Sequence, residues 1–162
     1  MKKYLFLILV SGLLFSCDKE ETEADLIKRY ESELTGTWIP FKYDYPEEGE
    51  YILIFHPDKT LTYHVLYGYN FDTDKYYAMR ADNKHMHSGF NVRVEKNMYG
   101  SSEVFEICYE YKYISNGKET IGTNRLSIDR ISKDVLLYHV SDYPNKTYYH
   151  EKVSSEKVII DK

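Results

Sequence analysis

The sequence predicts an all-β domain, an antiparallel up-and-down barrel of about eight strands with one short helix before it. Three observations carry that expectation. Beyond residue 36, apolar and polar residues alternate with period two, as half-buried strands require. Turn chemistry separates the alternating stretches at Pro57-Asp58-Lys59-Thr60, Ser115-Asn116-Gly117-Lys118, Ser132-Lys133-Asp134 and Asp142-Tyr143-Pro144-Asn145. The 162 residues are 43% hydrophobic, 16% aromatic and 29% charged, which suits one globular domain, and 8 Gly and 4 Pro exclude a collagen-like or linker polymer. Hairpin-linked strands in this number favour closure, because closure removes exposed strand edges.

The first segment reads as an address. Met1-Lys2-Lys3 is a basic start, Tyr4 to Phe15 is apolar apart from Ser11 and Gly12, and Ser16-Cys17 follows. This is the layout of a secretory signal, and the run is shorter than the roughly 20 apolar residues of a membrane-spanning helix. Leu14-Phe15-Ser16-Cys17 resembles the bacterial lipobox, which implies that Cys17 is diacylated and becomes the first mature residue. The expected organisation is a signal peptide over 1–16, a lipidated cysteine with an acidic tether over 17–23, and the barrel over 24–162.

The full chain carries a net charge of −5, and loss of Lys2 and Lys3 makes the mature form more acidic still. Nucleic acid is therefore not an expected partner, and the membrane is to be held through the acyl chains of Cys17 rather than a basic patch. Lys19-Glu20-Glu21 resembles the acidic tag of lipoproteins exported to the surface of some Gram-negative bacteria, whereas Asp18 reads as inner-membrane retention in others. The expected location is the bacterial outer membrane, lipid-anchored and surface-exposed, with its periplasmic face as the alternative. Cys108 is the one cysteine left after lipidation, so no intramolecular disulfide is available.

The elements follow in order. Thr22-Glu23-Ala24-Asp25 has the spacing of a helix capping box, and Leu26, Ile27, Tyr30 and Leu34 share a helical face, which predicts a helix over 24–34 ended by Gly36. Strands are predicted over 37–43, 50–56, 60–69, 74–80, 90–97, 103–114, 120–131, 135–141 and 147–153. Asn116-Gly117 marks a type I′ hairpin, and Pro40 marks an edge or bulge in the first strand.

Alternation assigns the faces. Phe105, Ile107, Tyr109, Tyr111 and Tyr113 share one side of their strand, with Glu106, Cys108, Glu110 and Lys112 on the other; Leu61, Tyr63, Val65 and Tyr67 form a second stripe, and Tyr51, Leu53 and Phe55 a third. The aromatic stripes are expected to face inward. With 18 Tyr in the chain, an interior lined by tyrosine needs hydroxyl partners that a dry core lacks, and a partly wet cavity would supply them. The other reading makes these tyrosines core and rim packing whose hydroxyls reach the surface. The cavity candidates are Tyr51, Phe55, Tyr63, Tyr67, Phe105, Tyr109, Tyr111 and Tyr113.

Leu34-Thr35-Gly36-Thr37-Trp38 resembles the Gly-x-Trp signature that opens the first strand of lipocalins and lipocalin-like proteins, with the sole Trp of the chain. Residues 52–63 are similar to the second hairpin of bacterial lipocalin-like lipoproteins, and 126–140 to their late hairpin. The resemblance implies a lipocalin-like barrel plugged at one end by Gly36 and Trp38, a small apolar or amphipathic ligand, and no catalytic group. The alternative is a non-catalytic module that meets a surface glycan or protein through exposed Tyr69, Tyr76, Tyr77, Tyr143, Tyr148 and Tyr149.

Chemistry-bearing motifs are sparse. His85-Met86-His87, with Asp82 nearby, pairs two imidazoles without a defined third ligand, so no metal is expected. Cys108 lies between Glu106 and Glu110, whose charge would raise a thiol pKa, and those glutamates, read as a solvated outer face, stand about 13 Å apart, too far for a hydrolase pair. No nucleophile elbow or phosphate-binding loop is present, and neither an enzyme nor a cofactor is expected.

Overall fold

The computed structural model describes residues 22–42, 45–80, 88–96, 103–140 and 143–161. Among the described residues one helix, α1 (Glu23–Leu34), is followed by strands β1 (Gly36–Lys42), β2 (Tyr45–Pro46), β3 (Tyr51–Phe55), β4 (Thr60–Asn70), β5 (Lys75–Arg80) and β6 (Ser88–Lys96). Then come β7 (Glu103–Ser115), β8 (Lys118–Ile131), β9 (Val135–Val140), β10 (Tyr143–Val153), a 3-10 turn (Ser155–Lys157) and β11 (Val158–Asp161). All nine expected strands are present, and β2 and β11 are additional.

Eight of these strands close an antiparallel barrel in the order β1, β3, β4, β6, β7, β8, β9, β10 and back to β1. The ring follows chain order, and neighbouring strands run in opposite directions, with one departure. β5 leaves the wall: among the described residues β4 pairs with β6 only at Thr60↔Gly89 and Leu61↔Ser88, and its later part pairs with β5 from His64↔Arg80 onward. The expected barrel of about eight strands is thus present, and β5 is the predicted strand that lies outside its ring.

Local chemistry accounts for the joints. Thr22 accepts from the Asp25 amide at 3.2 Å and the Asp25 carboxylate receives the Thr22 amide, the reciprocal capping box the sequence predicts. At the other end of α1 three carbonyls are satisfied by side chains: Thr35 donates to Glu31 O (3.0 Å), Lys152 to Glu33 O (2.7 Å) and Trp38 Nε1 to Leu34 O (2.6 Å). Gly36 has φ of +137°, outside the left-handed helical cap, so its role is the turn into β1. A Cβ there would also lie 2.6 Å from Lys152 Cε. Asn116 and Gly117 have φ of 51° and 73°, the type I′ geometry expected of the β7–β8 hairpin. Pro40 sits just past the end of the β1–β3 ladder, where β1 turns to pair with β2, so its missing N–H breaks no bond to β3.

Inside the barrel, Leu34, Trp38, Leu53, Phe55, Leu61, Phe90 and neighbours from β7, β8 and β9 form one buried cluster, and Ile27 and Tyr30 of α1 pack against it. Trp38 is fully buried here, and α1 closes this end. A second cluster lies on the outer side of the wall: Ile39, Ile52, Leu66, Tyr76 and Ala78, with Phe41, Val153 and Val158 against it. Tyr76 and Phe41 rings meet at 6.5 Å, although three strand spacings, about 14 Å, separate β5 from β1 in a flat sheet. β5 and β11 therefore fold back over the outside of β1, β3 and β4.

Candidate functional site

Away from α1 the interior changes from hydrocarbon to tyrosine. Tyr51 opens β3 and Tyr63 stands two residues beyond the Leu61 of the closed end, so strand alternation carries both inward at the far end. Their rings meet edge to face at 5.6 Å, and Tyr63 faces Tyr109 of β7 at 6.4 Å. Tyr51 is 48% exposed, which makes this the open mouth of the barrel. Asn124 Nδ2 donates to the Tyr109 hydroxyl at 3.0 Å. Tyr111 lies across Gly122 of β8, where a Cβ would come within 2.7 Å of its hydroxyl, so glycine makes room for the ring.

Burial raises the Tyr63 hydroxyl pKa, and the neighbouring Tyr109, Tyr51 and Tyr111 add to the effect. Tyr109 is raised for the same first reason. Tyr63 and Tyr109 are accordingly neutral at physiological pH, and the Tyr63 hydroxyl has no hydrogen-bond partner among the described residues.

Beside this cluster runs a column that the sequence reading missed. Lys146 Nζ, bonded to Glu50 at 2.6 Å, lies 4.3 Å from the Tyr148 ring; Tyr148 stacks on Tyr138 at 5.2 Å and 11°; Tyr138 meets His150 at 5.3 Å. His150 is 1% exposed, and its Nε2 bonds the Tyr51 carbonyl at 2.9 Å while Nδ1 has no partner. Burial depresses its pKa to about 4. Alternation in 143–153 could have identified Tyr148, His150 and Lys152 as one face, opposite Tyr149 and Glu151.

The expected cavity residues thus divide. Tyr51, Tyr63, Tyr109 and Tyr111 gather at the mouth. Phe55, 1% exposed and edge-on to Phe90 at 5.1 Å, and Phe105, 4.0 Å from Tyr30, belong to the packed closed end. Tyr67 is not inward: it is 39% exposed and bonds Asp161 of β11. The reason is a bulge, since Leu66 pairs with Ala78 but Gly68 with Tyr77, leaving Tyr67 as the extra residue. Tyr113 pairs with Thr120 along the backbone, and its side chain lies outside the described ones, as does that of Tyr143.

Other expectations about the surface are corrected. Tyr76 is 5% exposed in the outer cluster, Tyr69 packs against it, Tyr148 is stacked in the column, and Tyr77 and Tyr149 are half-buried. Glu106 is 8% exposed rather than solvated and receives the Ser127 hydroxyl at 3.4 Å, and Cys108 is buried beside it. Cys17 and the Asp82, His85, Met86 and His87 group lie outside the described residues, and among those described no cluster of three or more His, Cys, Asp or Glu could hold a metal. Among the described residues, a hollow of about 440 Å³ lies beside Tyr67, Met79, Arg80 and Asp161, and one of about 570 Å³ over β6, β7 and β8.

No family model, curated protein or solved structure matches this chain. Its reading therefore rests on its own geometry. Four tyrosines at a half-open mouth can bind a ring or short chain by stacking and offer hydroxyls at the rim, while Lys146 and Glu50 neutralise each other beside them.

Proposed function

We propose that this protein is a lipid-anchored envelope protein, held by Cys17 in the outer membrane and exposed at the cell surface. Its barrel mouth takes a small amphipathic ligand and performs no catalysis. The observation that supports this most is the Tyr51–Tyr63–Tyr109 cluster, half-exposed above a packed floor, with the Tyr63 hydroxyl unpartnered among the described residues. A ligand there would replace solvent on the aromatic faces and give hydrogen bonds to the hydroxyls. The packed closed end makes the site shallow, which favours a ligand that enters with one ring or chain end.

Native mass spectrometry of the protein purified from its own host tests the reading. A non-covalent adduct is expected, released on unfolding and lost from a folded Tyr51→Ala/Tyr63→Ala variant. Bare wild-type protein, or an adduct retained by the variant, would refute it.

A further inference from the structure

The second inference concerns the outside of the barrel and is independent of the mouth. On β6, β7 and β8 the outward residues form rows across the strands: Asn91–Cys108–Arg125 in one, Arg93–Glu106–Ser127 in the next. Arg93 and Arg125 stand about 12 Å apart at Cα on standard strand spacings, on a diagonal that passes between Cys108 and Glu106. The short Cys108 and both arginines line a hollow of about 570 Å³.

A third cation reaches the rim from another element. The Phe90 amide donates to the Lys59 carbonyl at 3.0 Å, which brings the 57–59 turn against β6, and Glu31 of α1 holds the Lys59 ammonium at 2.8 Å. Asn91 and Thr123 add neutral hydrogen-bonding groups to the lining, and among the described residues Glu110 is its one carboxylate. The lining thus sets three cations against one carboxylate, and Glu106 beneath Arg93 and Glu31 on Lys59 bring the neighbourhood to balance.

We infer that this hollow is a binding site for a singly charged, sugar-sized oxyanion, a carboxylate or sulfate ester on a polyhydroxylated ring. The guanidinium groups of Arg93 and Arg125 suit two-pronged recognition of such an oxyanion, Asn91 and Thr123 suit ring hydroxyls, and the volume suits one ring. The balance of three cations against three carboxylates disfavours a diphosphate, which would demand a net positive site.

Saturation-transfer NMR on the chain as its host produces it, with glucuronate, glucose 6-sulfate and glucose observed directly and inorganic sulfate, which carries no proton, read by its displacement of glucuronate, is the test. Saturable binding of the two charged sugars, at least ten-fold tighter than of glucose or sulfate alone, is expected. It should weaken at least ten-fold in Arg93→Gln/Arg125→Gln, and weaken several-fold in wild type at 0.5 M salt. Tyr51→Ala/Tyr63→Ala should leave it unchanged. Equal binding of glucose, equal binding of sulfate alone, or undiminished binding by the arginine variant would overturn the inference. The salt series decides the question on wild type should that variant fail to fold.

Discussion

His150 couples the interior of the barrel to pH. Its imidazole is buried against the Tyr138 ring and bonded to the Tyr51 carbonyl, and although that bond and Glu50 nearby favour the charged form, burial prevails and the pKa falls to about 4. In the unfolded chain an imidazole titrates near 6.5, so between pH 6.5 and 4 the unfolded state binds more protons than the native one, and stability rises with pH across that window. Acidifying from 7 to 4 is expected to cost about 3 kcal/mol through this group. Buried His64 is shifted in the same direction and adds to the loss. Urea unfolding at several pH values checks this: His150→Leu should flatten the slope between 6.5 and 4, and an unchanged slope would exclude His150 as its source. Alternation placed Tyr51, Tyr63, Tyr109 and Tyr111 correctly because their strands are regular there. It misplaced Tyr67 because a single inserted residue reverses every face beyond it.

Among the elements, β4 and β11 depend most on context. β4 serves three neighbours, β3 along its first half, β6 at its first two residues and β5 along its second half. Its bulge lets Leu66 and Tyr69 both face the outer cluster, which strict alternation would forbid. β11 runs parallel to β5, and Val158 covers that cluster while Lys157 pairs with Asp74 and Lys75 donates to Glu156 O at 2.6 Å. Ending the chain after Lys157 removes the strand, uncovers the β5 edge and is expected to cost about 1–3 kcal/mol, a fall of roughly 3–10 °C in Tm by calorimetry. A Tm within a degree of wild type would mean that β11 does not brace the outer cluster. The run Ile52-Leu53-Ile54-Phe55, apolar at successive positions, was the available sign that this strand is covered on both sides.

For the whole molecule, the anchor and the barrel are separable claims. The sequence resemblance at Leu14-Phe15-Ser16-Cys17 carries the first, and Cys17→Ala is expected to move the protein from the membrane pellet to the soluble fraction, with a mass lacking acyl chains. Persistent membrane fractionation of that variant would show that something other than acylation holds it. The barrel carries the second claim, and its two ends differ in kind: α1, Trp38 and Phe105 seal one, while tyrosines line the other.

What the sequence determined alone was local: the capping box at Thr22, the Asn116-Gly117 turn, the existence of nine strands, and the sidedness of the regular stretches around Tyr51, Tyr63 and Tyr109, whereas β10 begins at Tyr143, inside the turn expected over 142–145. These depend on propensity and periodicity within a few residues. Tertiary structure alone decided that β5 leaves the ring after Leu61↔Ser88 closes it, that β11 returns to cover a second core, and that Lys59, Arg93 and Arg125 share one hollow. Such contacts join residues far apart in the chain, and their choice follows from which faces remain to be buried once the strands have paired.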